Sequence, residues 1–289
     1  MIDPIIVVAN IIDGILMGLL YALVALGLSL IFGLMDIINF AHGDFVMISA
    51  YLAWILAMNF MVDPSVTAFV TVPLFFVIGL AIYKVIIEPI LGAEPLIQIA
   101  VTVGLGFVLQ NIALAVFHAE PRSYPAPALN FGINIGPITL VAAKLVAAAV
   151  SLVSLFLIHY MLTKTKFGLA IRATSANRMV APLMGINVGK VYAVVFGLGI
   201  ALTALGAALY MTWGQVDPYL GASFSLLSWV IVAMGGLGGV IGVLASGLIV
   251  GVLEALGSTF ITPSARMAVV YLAFFLLLWF RPRGLFARR

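Results

Sequence analysis

A succession of apolar runs, separated by short polar breaks and two longer loops, constrains this chain more than any other feature. The runs fall at residues 8–33, 41–59, 66–86, 97–117, 138–162, 191–212, 224–237, 240–260 and 267–280. A helix needs about 20 apolar residues to cross the hydrocarbon of a bilayer. The runs are continuous and do not alternate apolar with polar, which favours helices over a barrel. Of the 289 residues, 65% are hydrophobic and 8% charged; a water-soluble fold could not cover that much apolar surface, so the solvent is lipid. The predicted fold class is all-α: a polytopic transmembrane bundle of eight to nine segments, forming one membrane domain over residues 1–289. The run 224–237, at ~1.5 Å per residue, would cover only about 20 Å of a core roughly 30 Å thick. Two readings follow: nine crossings with a Gly-rich joint inside the membrane, or eight with a re-entrant piece.

Charge gives the orientation. Residues 163–190 carry Lys164, Lys166, Arg172, Arg178 and Lys190 without an acid, and Arg281, Arg283, Arg288 and Arg289 follow the last run. Positively charged flanks face the cytoplasm, and counting crossings from there puts the N-terminus, with Asp3 and Asp13, outside. These basic residues are what a multi-span protein needs to fix its topology, so they imply no nucleic-acid partner. Residues 1–10 lack the basic start and cleavage site of a signal peptide and read as mature sequence leading into the first span. The chain has no cysteine, which excludes a disulfide framework and a thiolate metal site.

Four features break the apolar pattern. The first is the stretch from Asp36 to Asp44, which carries Asn39, Phe40, His42, Gly43 and Asp44 between two apolar runs. Charged groups at membrane depth cost several kcal/mol unless satisfied, so such a cluster lines a polar path. The alternative is a helix entry in the headgroup zone, with Asn39 as cap and Gly43 for close packing. A metal centre does not fit, because His118 and His159 lie in distant segments, and no nucleophile, base and metal set assembles for catalysis. The second is Gln110 with Asn111, amides deep in their run, which bond a neighbouring helix or line a cavity; either places them inward. The third is the series Gly235, Gly236, Gly238, Gly239, Gly247 and Gly251, followed by Glu254. Gly247 and Gly251 form a G-x-x-x-G ridge for close helix packing, and no Gly-Lys-Ser/Thr makes the series a phosphate loop. Glu254 is expected to pair with Lys144 or Arg266, to sit near the outer interface, or to serve the path. The fourth is the loop 163–190: Thr174 or Ser175 as N-cap, an apolar patch of Met179, Val180, Leu183 and Met184, and Gly185 as a stop. Pro182 removes a helical hydrogen bond, so this helix is kinked or short. Apolar residues on display suit a docking helix for a soluble partner; the alternative is an amphipathic helix lying on the membrane.

Together these stretches resemble the membrane subunits of branched-chain amino-acid ABC importers, specifically the LivH-type permease. The resemblance rests on Gly33-Leu-Met-Asp-Ile-Ile-Asn-Phe-Ala-His-Gly43 with Met47, Ala50 and Tyr51; on the run from Thr102 to Asn111; on the loop with Arg172-Ala-Thr and Leu-Met-Gly-Ile-Asn-Val; on the stretch from Gly235 to Glu254; and on the ending Arg281-Pro-Arg-Gly-Leu-Phe286. It implies a fold similar to the type II ABC importer permease. It implies a bacterial or archaeal inner membrane, a second, LivM-like permease subunit, two cytoplasmic ATPases that use ATP and Mg, and an extracytoplasmic solute-binding protein. No cofactor is expected in this chain itself. Carried onto this sequence, the coupling element that meets the ATPase comprises Arg172, Thr174, Asn177, Arg178, Ala181, Leu183 and Gly185. The translocation path comprises Asn39, Phe40, His42, Gly43, Asp44, Gln110, Asn111 and Glu254. Similar systems carry amides, urea and aromatic or dicarboxylic acids as well as branched-chain amino acids. An ion-coupled secondary transporter is the rival reading.

Overall fold

The computed structural model describes residues 4–125, 128–129, 131–236, 239–281 and 284–285. Ten α-helices lie among them: α1 (Pro4–Met35), α2 (His42–Phe60), α3 (Ala68–Ile82), α4 (Pro95–Phe117), α5 (Ala142–Lys164), α6 (Lys166–Ala176), α7 (Val188–Tyr210), α8 (Leu220–Gly235), α9 (Val240–Phe260) and α10 (Arg266–Phe280). Eight helical units are long and apolar enough to span a membrane, and the chain is an all-α polytopic bundle. One of the eight runs unbroken over Pro64–Ile90, because 3-10 and π turns extend α3 at both ends. The helix α8 has 16 residues, about 24 Å, so it is a part-helix outside these eight; the chain from Gln215 to Gly235 nonetheless passes from one end of α1 to the other, which a re-entrant piece would not do. The C-terminal end of α8 lies inside protein, and the Leu285 N–H donates to the Met234 carbonyl at 2.8 Å. A helix that stops short inside a bundle needs such donors for its last carbonyls.

The run that begins at 138 is helical only from Ala142. Residues Gly132–Ile135 and Ile138–Val141 form an antiparallel hairpin, and Arg122–Ser123 pairs with Gln215–Val216. Ile138, Thr139 and Val141 are β-branched, which suits a strand more than a helix start.

At the centre stands α1, sheathed by α5, α7, α8 and α9. Its 32 residues make about 48 Å, longer than a bilayer core requires. From Leu20 to Leu28 every residue is buried. Close approach, not side-chain bulk, holds the seam with α9. A Cβ on Gly14 would lie 2.5 Å from the Gly251 carbonyl oxygen, and one on Gly18 would lie 2.6 Å from that of Gly247. Each helix therefore presents a G-x-x-x-G ridge to the other, as the sequence suggested for Gly247 and Gly251. Lipid offers no hydrophobic drive between helices, so backbone contact of this kind supplies the packing energy. The helices α4 and α10 lie at the rim with few buried residues.

Candidate functional site

The segment after α1 turns back into the bundle. Asp36, at φ 55°, makes the turn in a left-handed conformation that Asp tolerates better than most residues. The chain then climbs so far that the His42 ring meets the Val24 carbonyl, with Nε2 at 3.0 Å. Val24 lies about 16 Å along α1 from its end at Met35, so α2 starts beside the middle of α1. Two hydroxyls stitch this re-entrant backbone to its neighbours. Ser225 on α8 accepts the Gly43 N–H at 2.8 Å and donates to the Phe40 carbonyl at 2.8 Å. Thr102 on α4 accepts the Phe40 N–H at 3.3 Å and donates to the Ile38 carbonyl at 2.9 Å. Backbone that runs irregularly at membrane depth is tolerated only where such partners satisfy it.

Asn39 and His42 are fully buried. The Asn39 side-chain oxygen accepts the Ala41 N–H at 3.1 Å, so it braces the turn, while the residue at the N-cap position of α2 is Ala41 and not Asn39. The Asn39 Nδ2 and His42 Nδ1 atoms have no partner among the described residues. Gly43 is a point of close approach to α8, since a Cβ there would collide with the Gly221 carbonyl and the Ser225 backbone nitrogen and lie 2.7 Å from the Ser225 hydroxyl. Asp44 is half-buried. Its carboxylate lies between Gly106 of α4 and Gly221 of α8, where any Cβ would strike it. No side chain among the described residues bonds to it or pairs with it. Phe40 leans on Trp229, ring centroids 5.6 Å apart.

The other amides and the acid do not join this cluster. Gln110 is half-buried, but Asn111 is exposed and its Nδ2 donates to the Phe107 carbonyl of its own helix at 2.8 Å. The expected inward placement of Asn111 is thus corrected: α4 buries Gln98, Thr102, Gly106 and Ala113, and Asn111 points off that face. Glu254 lies elsewhere, in a cavity of about 450 Å³ beside Asn10, Asp13, Lys144 and Arg266. Of its two candidate partners, Arg266 is the one it meets, at 3.4 Å, because Lys144 is held by Asp13 at 2.7 Å.

A second cavity, of about 700 Å³, opens at the opposite end of α1, where Leu30, Gly33 and Leu34 face Arg172, His159 and the α8–α9 joint. At that joint Gly235 and Gly242 meet backbone to backbone, and Gly236 takes φ 80°. Gly239 is corrected as a packing residue: it is exposed, nothing lies within 4 Å of its Cβ direction, and it stands at the N-cap of α9. Gly238 lies outside the described residues.

The loop 163–190 divides differently from expectation. Thr165, not Thr174 or Ser175, caps the helix, accepting the Gly168 N–H at 3.0 Å. The helix α6 therefore ends at Ala176, where the N-cap was expected. Thr174 is buried, and Ser175 donates to the Gly33 carbonyl of α1 at 3.1 Å. The Asn177 side chain accepts the N–H groups of Met179 and Val180, and a 3-10 turn Ala181–Met184 follows. Pro182 sits in the first turn of this element, where its missing N–H costs nothing. Gly185, at φ 78°, stops the turn as the sequence indicated. Arg172 and Arg178 are exposed, Ala181 is buried, and Met179, Leu183 and Met184 are 81%, 82% and 78% exposed.

Residues 10–278 match the branched-chain amino acid transport system permease component family. The chain belongs to this family. It is 28% identical to the high-affinity branched-chain amino acid transport system permease protein BraD of Pseudomonas aeruginosa, over 96% of this chain and 95% of that protein. Identity is 27% to LivH of Escherichia coli, over 96% and 94% of the two chains. The probable LivH of Methanocaldococcus jannaschii is 26% identical over 82% of this chain and 76% of its own length. No solved structure matches the chain significantly. As a permease component, the protein is a multi-pass membrane protein of a transport system with further parts. Sequence reasoning passed over Ser225, Gly14 and Gly18. A lone hydroxyl in an apolar run signals nothing by itself, but the spacing of Gly14 and Gly18 repeats that of Gly247 and Gly251 and was open to view.

Proposed function

We propose that the protein is one of two permease subunits of an ABC importer for branched-chain or related amino acids, and that its loop 163–190 is the handle on which a cytoplasmic ATPase acts. The observation that carries this is the segment around the 3-10 turn: Met179 just before it and Leu183 and Met184 within it stand about four-fifths exposed, between the capped helix α6 and the stop at Gly185. Apolar anchors presented on a rigid turn suit a groove in a soluble partner. Ser175 ties the same segment to the end of α1, so a push on the turn reaches the central helix. ATP and Mg are then used by the ATPases, and a solute-binding protein delivers the amino acid from outside.

The middle of α1 is sealed by its neighbours, so a route through this chain alone would have to breach its core. A path between two subunits requires no such breach. The half-buried Asp44 carboxylate, Phe40 and Gln110 border the thinly covered side of α2 and α4, and in this reading they line the path with the second subunit opposite. Alternating access follows as rigid-body motion about that interface. The test is purification of the tagged chain in mild detergent from its own host. Recovery of two ATPases and a second permease supports the proposal. Uptake by the chain alone in proteoliposomes, driven by an ion gradient, overturns it.

A further inference from the structure

The cavity at the Asp13 end of α1 holds two ion pairs of unequal quality. Lys144 Nζ lies 2.7 Å from both oxygens of Asp13, a closed, bidentate contact. Arg266 reaches only Oε1 of Glu254, at 3.4 Å, beyond the ~2.7–2.9 Å of a well-made charge-assisted bond. The other oxygen, Oε2, is buried without a partner among the described residues, and Glu254 as a whole is only 8% exposed. A buried carboxylate oxygen left unpaired is costly. The guanidinium is half-exposed and pairs with no other carboxylate among the described residues, so it keeps donors in reserve. Beside this slack pair stand Met17, Tyr210 and Trp213, the apolar part of a lining that is otherwise mostly polar, with the Tyr21 hydroxyl toward the Glu254 carboxyl. The volume, about 450 Å³, falls in the range that takes small ligands.

We propose that this cavity is a docking subsite for a zwitterionic α-amino acid with an apolar side chain. The ligand's ammonium pairs with Glu254, its carboxylate pairs with Arg266, and its side chain lies against Met17, Tyr210 and Trp213. Rotation about the last bond of Glu254 brings the unpartnered oxygen to the ammonium. A ligand with one charge alone would separate the pair and satisfy only half of it, so both charges are required. The proposal rests on the reading of the chain as an amino-acid permease subunit and names a place where the solute first meets it.

The experiment uses the detergent-purified complex and saturation-transfer NMR, which detects weak ligands, with L-leucine, N-acetyl-L-leucine and L-leucine methyl ester as probes. L-leucine is expected to bind, and each blocked form to bind about tenfold more weakly or worse, the loss of one charge-assisted contact. Glu254→Gln should lower L-leucine to the level of the N-acetyl compound without changing that compound further. Arg266→Gln, at a half-exposed position that tolerates replacement, should do the same with the methyl ester. Equal binding of all three probes, or unchanged L-leucine binding in the two variants, overturns the subsite. A complex that retains its ATPases but ignores both charges sinks the subsite alone; one that binds leucine with no ATPase attached sinks the importer reading alone.

Discussion

The seam between α1 and α9 and the turn after α6 use glycine and apolar residues to opposite ends. In the seam, Gly14, Gly18, Gly247 and Gly251 have no room for a single added carbon. At the turn, nothing lies within 4 Å of the Cβ direction of Gly185, and Leu183 and Met184 meet no core. The seam's residues are explained by their neighbours in this chain. The turn's residues have no such explanation within this chain, and in the proposed reading they meet an ATPase. A substitution should therefore damage the fold at one place and an association at the other.

The largest effect is expected from Gly251→Leu. The new side chain strikes the Gly14 carbonyl and approaches Gly18 Cα at 2.7 Å, both backbone atoms that cannot yield, so the helices must part. Overpacking of this kind costs about 3 kcal/mol or more, and the yield of monodisperse protein in detergent should collapse. Gly104→Leu, where nothing lies within 4 Å, should change thermal stability by less than about 0.5 kcal/mol. Equal behaviour of the two variants would break the comparison.

Second in size is the double change Leu183→Asp with Met184→Asp. Both side chains are about four-fifths exposed, so the melting temperature of the isolated chain should hold. ATPase co-purification should be lost, since buried apolar anchors at interfaces each contribute about 2 kcal/mol or more. Retained ATPase with a fallen melting temperature would reverse the assignment of this turn.

Ser225→Ala probes the joint between the two regimes. It leaves the Gly43 N–H, at the start of α2, and the Phe40 carbonyl without their partner, at a cost of about 1–3 kcal/mol. Thermal unfolding of the purified chain measures it, and Ser225→Thr, which keeps the hydroxyl, should recover part of the loss.

How much of this was legible depends on the range of the forces involved. Span positions follow from local apolar content, so the bundle could be read from sequence, down to the short run that became α8. The Gly247 and Gly251 ridge was legible for the same reason, because its spacing alone states a helix face. The helix in the loop 163–190 was read with the wrong caps. Thr165, Thr174 and Ser175 are all chemically fit to cap, and the choice of Thr165 depends on where α5 ends and on a bond from Ser175 to Gly33 far away in sequence. The polar cluster was visible as a cost, but its partners were not: Ser225 lies 182 residues from Gly43. Asn111 misled because an amide in a span can bond its own preceding turn, as this one does to Phe107.

The smallest effect tests whether the charged cavity is held together by its tight pair. Lys144→Gln removes the contact to Asp13, but the side chains of Lys144 and Asp13 are 20% and 41% exposed. Water screens such a pair, and exposed ion pairs contribute about 0–1 kcal/mol. Little change in unfolding temperature is therefore expected. A loss as large as that of Gly251→Leu would mean that charge, and not backbone contact, secures this end of α1. The outcome decides whether the cavity's walls belong to the seam, fixed by packing, or stay free to answer a ligand.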